Sequence, residues 1–326
     1  MINLKVNKKA FDFHYSKVNE LFLDILSKKY FERGKPRQKK YLSELFLNFL
    51  KDHKDNIISG LPGDLILLNK SYDSLNLTIS EKELIKDFFL NTGYKNFQKN
   101  YSKYFLDLIG IDTCVYCNRN YTINLTKTHA RAELDHWFPK TQFPLFALSF
   151  YNLIPSCHSC NHIKGNGDKI IKSIFLNNEN ATEIEIKNWW NDEALTKLIH
   201  PYIKEDSEGF NFDFFYEKDI DNLKIETRCF KKSIKTNKTL EFNQIKNIYN
   251  SHSENELRDL VNLRYKYSNN YIKILTEDTF KNLKISKEEI YRMVFGIEIE
   301  EENYHRRPFS KFKKDIIDEL LRIDNL

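Results

Sequence analysis

Two Cys-x-x-Cys pairs, Cys114-Val115-Tyr116-Cys117 and Cys157-His158-Ser159-Cys160, stand 39 residues apart and constrain this chain more than any other feature. Each pair places two thiolates on one tight turn, and two such turns complete a tetrahedral zinc site. Four thiolates close the coordination sphere and leave no position for water, so the expected zinc is structural. The pairs use four of the five cysteines. Paired cysteines in a reducing compartment point to metal more than to disulfide. Cys229 stands alone beside Phe230 in a strand-like run and is expected as an ordinary buried cysteine.

That compartment follows from what the chain lacks. No stretch approaches the roughly 20 apolar residues that span a bilayer. Met1 to Lys9 carries no apolar run of a signal peptide, so a cytoplasmic protein without a membrane partner is the expectation. A hydrophobic fraction of 41% and an aromatic fraction of 14% exclude a disordered chain. The net charge of +5, from 51 basic and 46 acidic residues, permits a nucleic-acid partner without arguing for one.

Periodicity divides the chain into 1–110, helical; 111–170, a distinct core; and 171–326, a β-hairpin followed by helices. Leu21, Ile25, Leu42, Leu45 and Phe49 recur at helical steps. Ser80 and Glu83 have capping-box spacing, as do Ser286 and Glu289. Ile57 to Asp73, with Gly60, Pro62 and Gly63, reads as a loop that lacks the signature of a phosphate-cradling turn. Tyr121 to Leu125 and Ala132 to His136 alternate as strands do, and a helix is expected from Cys160 or Asn161. Further on, Phe210 to Phe214 alternates, with Leu223 to Phe230 as its hairpin partner, and helix resumes from Thr239.

A zinc knuckle alone would serve a binding module equally well. Residues inside it decide for chemistry. Asp135-His136 is followed by Pro139 and Asn152-Leu153; Asn161 follows the last cysteine, then Lys164-Gly165. Phosphodiester hydrolysis needs an activated water and a cation on the phosphate. One carboxylate and one amide oxygen suit a hard cation such as Mg²⁺ or Mn²⁺, and an imidazole supplies a base near neutral pH. Asp135, Asn161 and His136 are those groups.

The run Cys-x-x-Cys, Asp-His-x-x-Pro, Asn-Leu, Cys-x-x-Cys-Asn-x-x-Lys-Gly resembles the zinc-containing HNH, or ββα-metal, endonucleases, including phage junction resolvases of the endonuclease VII type. The resemblance covers about 55 residues from Cys114 to Gly167. It implies an α+β protein, mostly helical, with a central zinc-stabilised ββα-metal core. It makes His136 the general base, Asp135 and Asn161 ligands of the catalytic cation, and Asn152 a brace of the loop that carries the histidine. His162 is the alternative to Asn161 as ligand. Lys164 and Arg119 are the candidate phosphate contacts. Free-standing proteins of this kind resemble nucleases of bacterial defence systems, some paired with an ATPase partner as in Septu.

The implied substrate is double-stranded DNA; RNA, or a zinc-stabilised binding or scaffold protein without catalysis, are the alternatives. His129 and His158 are expected as exposed loop histidines, and Trp137 and Phe138 as packing residues. Two basic stretches, Arg228 to Lys238 and His305 to Lys314, could follow a phosphate backbone or be solvated faces.

Overall fold

The computed structural model describes residues 2–124, 132–203, 209–217, 222–229, 233–266, 269–280 and 285–323. It is an α+β protein dominated by helix, with three two-stranded antiparallel sheets among the described residues. No helix among these residues is long and apolar enough to cross a membrane. Contacts divide the chain into two units, neither of them a consecutive stretch: 4–110 with 123–196, and 1–3 with 111–122 and 197–326.

The unit containing 4–110 begins with helix α1 (Lys8–Lys28). Its buried residues, Ala10, His14, Val18, Phe22 and Ile25, fall at steps of three and four and form one stripe. Lys29 closes α1 in the left-handed region at φ 63°, and its backbone N–H bonds the Ile25 carbonyl. A hairpin follows, β1 (Tyr30–Arg33) against β2 (Gln38–Tyr41). This corrects the helical reading of 1–110 at residues 30–41. The helical steps on either side had run straight across Gly34 and Pro36.

Helices α2 (Glu44–Ser59) and α3 (Pro62–Asp73) come next, so the loop expected over Ile57 to Asp73 is also corrected. Gly60 and Leu61 are the whole connection. A Cβ on Gly60 would lie 2.5 Å from the Asn56 carbonyl oxygen, which makes glycine obligatory there. Pro62 opens α3 at a position where no backbone N–H is required. Leu65, Leu68 and Tyr72 then bury its inner face.

Helix α4 (Ile79–Asp87) is capped by Thr78 and Glu81, two residues before the expected Ser80–Glu83 pair. Thr78 Oγ1 accepts the Glu81 N–H at 3.2 Å, and Glu81 returns the bond to the Thr78 N–H at 2.8 Å. A π-helical turn, Phe88–Tyr94, then α5 (Lys95–Asn100) and α6 (Ser102–Ile109) complete this helical part. Phe88, Phe89, Phe105 and Phe150 are fully buried in its core.

Strand β3 (Glu133–His136) pairs antiparallel with β4 (Leu153–Ser156), with Asp135 opposite Ile154 and His136 opposite Leu153. Helix α7 (His158–Lys164) follows directly, starting two residues before Cys160. The local order is therefore strand, strand, helix. Trp137 and Phe138 are packing residues, 3% and 0% exposed, with rings edge-on to Trp190.

In the other unit, residues 111–122 make a compact turn rather than the strand expected from Tyr121. Tyr121 forms only an isolated bridge to Thr113, and Leu125 lies outside the described residues. The expected hairpin is present as β5 (Phe210–Glu217) and β6 (Asn222–Cys229). Phe230 and the Cys229 side chain lie outside the described residues. Helix resumes at Ile234, five residues before Thr239, with Ser233 as its cap. The Ser286–Glu289 capping box is present at the start of Lys287–Phe295. The last helix, Ser310–Ile323, packs Phe312 edge-on to Phe212 and accepts the Phe212 N–H on Asp315 at 3.0 Å.

Candidate metal centre and active site

The four cysteines converge. Cys114, Cys117, Cys157 and Cys160 are buried, and their sulfurs lie within 4.8 Å of one another. Zinc–sulfur bonds of about 2.3 Å in a tetrahedron separate the sulfurs by about 3.8 Å, so the cluster fits a zinc ion with small adjustments. The turn carrying the first pair is fixed from several sides. The Asn118 N–H bonds the Cys114 carbonyl at 2.8 Å, the Cys114 N–H bonds the Asn120 carbonyl at 2.9 Å, and the Tyr249 hydroxyl bonds the Cys117 carbonyl at 2.6 Å. The Arg119 N–H points at the Cys117 sulfur from 3.4 Å, a donor suited to a thiolate.

Strand β3 carries Asp135 and His136, and helix α7 carries Asn161 and Lys164. Asp135 and His136 are 3% and 5% exposed. The His136 Nε2 lies 3.1 Å from the Ala147 carbonyl oxygen. A carbonyl only accepts, so Nε2 carries the proton and Nδ1 carries the lone pair. The Tyr94 ring stands edge-on to the imidazole with centroids 4.4 Å apart. Burial first, then the nearby Lys140 and Lys164 ammonium groups, hold the His136 pKa well below its ordinary value. The ring is neutral at pH 7, the state a base requires.

Lys164 does not face outward toward a ligand. Its side chain is 2% exposed and its ammonium lies 2.9 Å from Asp135 Oδ2 and 2.6 Å from the His136 carbonyl oxygen. Asn161 lies one turn earlier on α7 and donates its Nδ2 to Glu133 Oε2 at 2.6 Å. That bond turns the amide so that Oδ1 is left as the acceptor. Glu133 also holds His158 Nδ1 at 2.7 Å, which raises the His158 pKa. His158 is exposed as expected, whereas His129 lies outside the described residues. His162 is exposed and its ring stacks on His158 at 5.9 Å.

Glu133 was missed in the sequence. Its signal was there, since a residue two before Asp135 on a strand shares its face. Lys140 and Tyr94 were missed as well. The Lys140 ammonium sits 4.3 Å from the Tyr94 ring centroid, and burial lowers its pKa.

Asn152 is fully buried and makes three hydrogen bonds. Its Oδ1 accepts the Phe138 N–H at 2.7 Å, and its Nδ2 donates to the carbonyls of Phe138 at 3.1 Å and Phe146 at 3.0 Å. These bonds tie both ends of the segment that joins β3 to β4. Arg119 places Nη1 2.8 Å from His252 Nε2.

Asp135 and Asn161 each offer a hard oxygen donor, the type a Mg²⁺-like cation takes. The Asp135 carboxylate is already paired with Lys164.

The basic stretch near the C-terminus is largely neutralised. Arg307 pairs with Glu298, Lys311 with Asp315, Lys313 with Glu256 and Lys314 with Asp318. In the other stretch, Lys231, Lys232 and the Arg228 side chain lie outside the described residues.

Comparison with known proteins gives one informative likeness. The chain is 31% identical over 99 residues to the Septu protein PtuB of Bacillus thuringiensis. The match takes in 30% of this chain and spans 37% of that protein's length. No protein-family model matches the chain, and no solved structure matches it.

Proposed function

We propose that this chain is a metal-dependent endonuclease of the HNH type that hydrolyses DNA phosphodiester bonds. The observation that carries the reading is His136: a buried imidazole, neutral at pH 7, with Nε2–H committed to the Ala147 carbonyl and flanked on its strand by Asp135. In this reading Nδ1 takes a proton from water as the water oxygen attacks phosphorus. The bond from phosphorus to the 3′ oxygen breaks, leaving a 5′-phosphate and a 3′-hydroxyl that takes its proton from solvent. Asp135 and the Oδ1 of Asn161 would hold a Mg²⁺ or Mn²⁺ ion, which supplies positive charge to the phosphate and the departing oxygen. Glu133 keeps the Asn161 amide in register, and Asn152 holds the strand connection against which His136 rests. The four-cysteine zinc is structural.

The likeness to a Septu protein supports a role in bacterial defence, with a partner protein of the same defence system, an ATPase or another, as the partner class. A second reading, a zinc-stabilised nucleic-acid-binding or scaffold protein without catalysis, draws on one observation. Lys164 already neutralises the carboxylate that the cation needs.

Supercoiled plasmid with Mg²⁺ or Mn²⁺ separates the two. Nicking that is lost on chelation of the divalent ion and in His136→Ala supports the nuclease. Cleavage that survives His136→Ala removes the base assignment. No cleavage of DNA or RNA by the folded, zinc-loaded protein, with or without its partner, favours the scaffold.

A further inference from the structure

The β1–β2 hairpin carries the densest run of positive charge in the described chain, and the fold answers only part of it. Between Glu32 and Tyr41 stand Arg33, Lys35, Arg37, Lys39 and Lys40, five cations against the single carboxylate of Glu32. Every residue of β2 is exposed. A strand with no buried face contributes little to folding, and an isolated two-stranded ribbon is marginal by itself. This one is held from its base. Phe31 is buried against Phe88, and the Leu42 N–H bonds the Lys29 carbonyl at 3.0 Å.

Only part of this charge is answered. Arg33 pairs with Asp87 and Arg37 reaches Glu32 at 3.8 Å, while Lys39 lies over the Tyr30 ring. The other basic stretch that can be described, at the C-terminus, is closed by carboxylates. The ribbon is not.

The charge also leads somewhere. A cleft between the hairpin and the π-helical turn is lined by Arg33, Arg37 and Lys95, with Glu32 as its one carboxylate, and by Asn91 and Thr92. Lys95 directly follows Tyr94, the Lys140 ammonium rests on the Tyr94 ring, and that ring abuts His136. One basic track therefore runs from the ribbon to the candidate base within a single unit.

We infer that the β1–β2 ribbon docks the phosphate backbone of duplex DNA and delivers the strand to His136. The inference rests on the nuclease reading for what happens at the end of the track. Duplex DNA is favoured over duplex RNA on shape. The major groove of B-form DNA, about 12 Å wide, admits a two-stranded ribbon, whereas the deep, narrow groove of A-form RNA does not.

The test is binding, measured in the zinc-loaded full chain carrying His136→Ala so that no cleavage intervenes. Anisotropy of a labelled DNA duplex of about 30 base pairs is followed from about 50 to 200 mM salt. Lys35→Gln, Arg37→Gln, Lys39→Gln and Lys40→Gln are combined in one variant. A control variant removes the same charge at the scattered exposed residues Lys51, Lys82, Lys99 and Lys169. Each phosphate contact contributes about 0.9 to the salt slope, so losing two to four contacts lowers it by about 1.8 to 3.6. Affinity at about 100 mM salt should fall more than tenfold in the ribbon variant and less than threefold in the control. Replacing the three lysines by arginine instead should keep affinity, which separates charge from folding.

Equal losses in the two glutamine variants would overturn the inference and leave the nuclease reading intact, because His136-dependent cleavage is scored separately. A ribbon-dependent affinity for an RNA duplex of the same sequence, equal to that for DNA, would overturn the groove argument. Failure of the unsubstituted chain to bind or cut any nucleic acid would remove both readings.

Discussion

Lys164→Met tests the electrostatics of the candidate site most directly. The Lys164 and Asp135 side chains are 2% and 4% exposed, so the pair is shielded from water and salt. The ammonium also reaches Asp135 Oδ1 at 3.3 Å and the His136 carbonyl at 2.6 Å. Methionine fills nearly the same volume without the charge. It leaves a buried carboxylate uncompensated, which costs about 3–5 kcal/mol. It also leaves the His136 carbonyl without its donor. A loss of about 4 kcal/mol, in a unit of about 180 residues, lowers the melting temperature by about 8–16 °C.

The assay is calorimetric unfolding with zinc in excess, so that metal loss does not intervene. Asp135→Asn should cost a similar amount, because it strands the ammonium instead. The double variant should be more stable than either single one, since replacing both members of a buried pair is often close to neutral. A drop of less than about 3 °C for Lys164→Met, or a double variant as unstable as the sum of the singles, would refute the buried pair.

Three further outcomes follow from the same geometry. The purified protein should contain one zinc per chain by elemental analysis, and Cys157→Ser should lose both the metal and a cooperative melt. Stability should fall as pH drops below about 6.5 because of His14. Burial among Phe97, Phe105 and Phe150 pushes its pKa down to about 3. The unfolded ring takes a proton near pH 6.5 and the folded one does not, so stability is present above that pH. By pH 5 about 2 kcal/mol is lost, and the loss continues toward pH 3; His14→Phe should remove this share in melts taken across the range. Asn152→Ala should cost about 3 kcal/mol by denaturant unfolding, since it strands the Phe138 N–H and two carbonyls in a dry interior.

What the sequence disclosed, and what it hid, follows from the range of the interactions involved. The zinc cysteines were legible because ligand spacing is set within a four-residue turn. Asp135, His136 and Asn161 stood out as candidates because a carboxylate, an imidazole and an amide recur there in the order of the motif they resemble. The hairpins and helix caps divide on the same ground. Ser286–Glu289 was read correctly, whereas Thr78–Glu81 lost to the equally spaced Ser80–Glu83, because two capping boxes in register differ only in which one the preceding chain lets form. Gly60 and Pro62 were read as a loop because each breaks a helix interior. Here one ends a helix and the other begins the next, and only the sharp turn between α2 and α3 reveals that.

Charge was the least legible property of all, since a lysine's partner is chosen by the tertiary fold. Lys164 turned inward to Asp135, and the conspicuous run at 305–314 was consumed by Glu256, Glu298, Asp315 and Asp318. In the run at 33–40, Arg33 pairs with Asp87 and Arg37 reaches Glu32, while Lys35 and Lys40 stand on an exposed two-stranded ribbon. Counting basic residues along a sequence therefore does not separate candidate nucleic-acid surfaces, because it ignores these partners. Subtracting the carboxylates that the fold brings to each one puts the β1–β2 ribbon first.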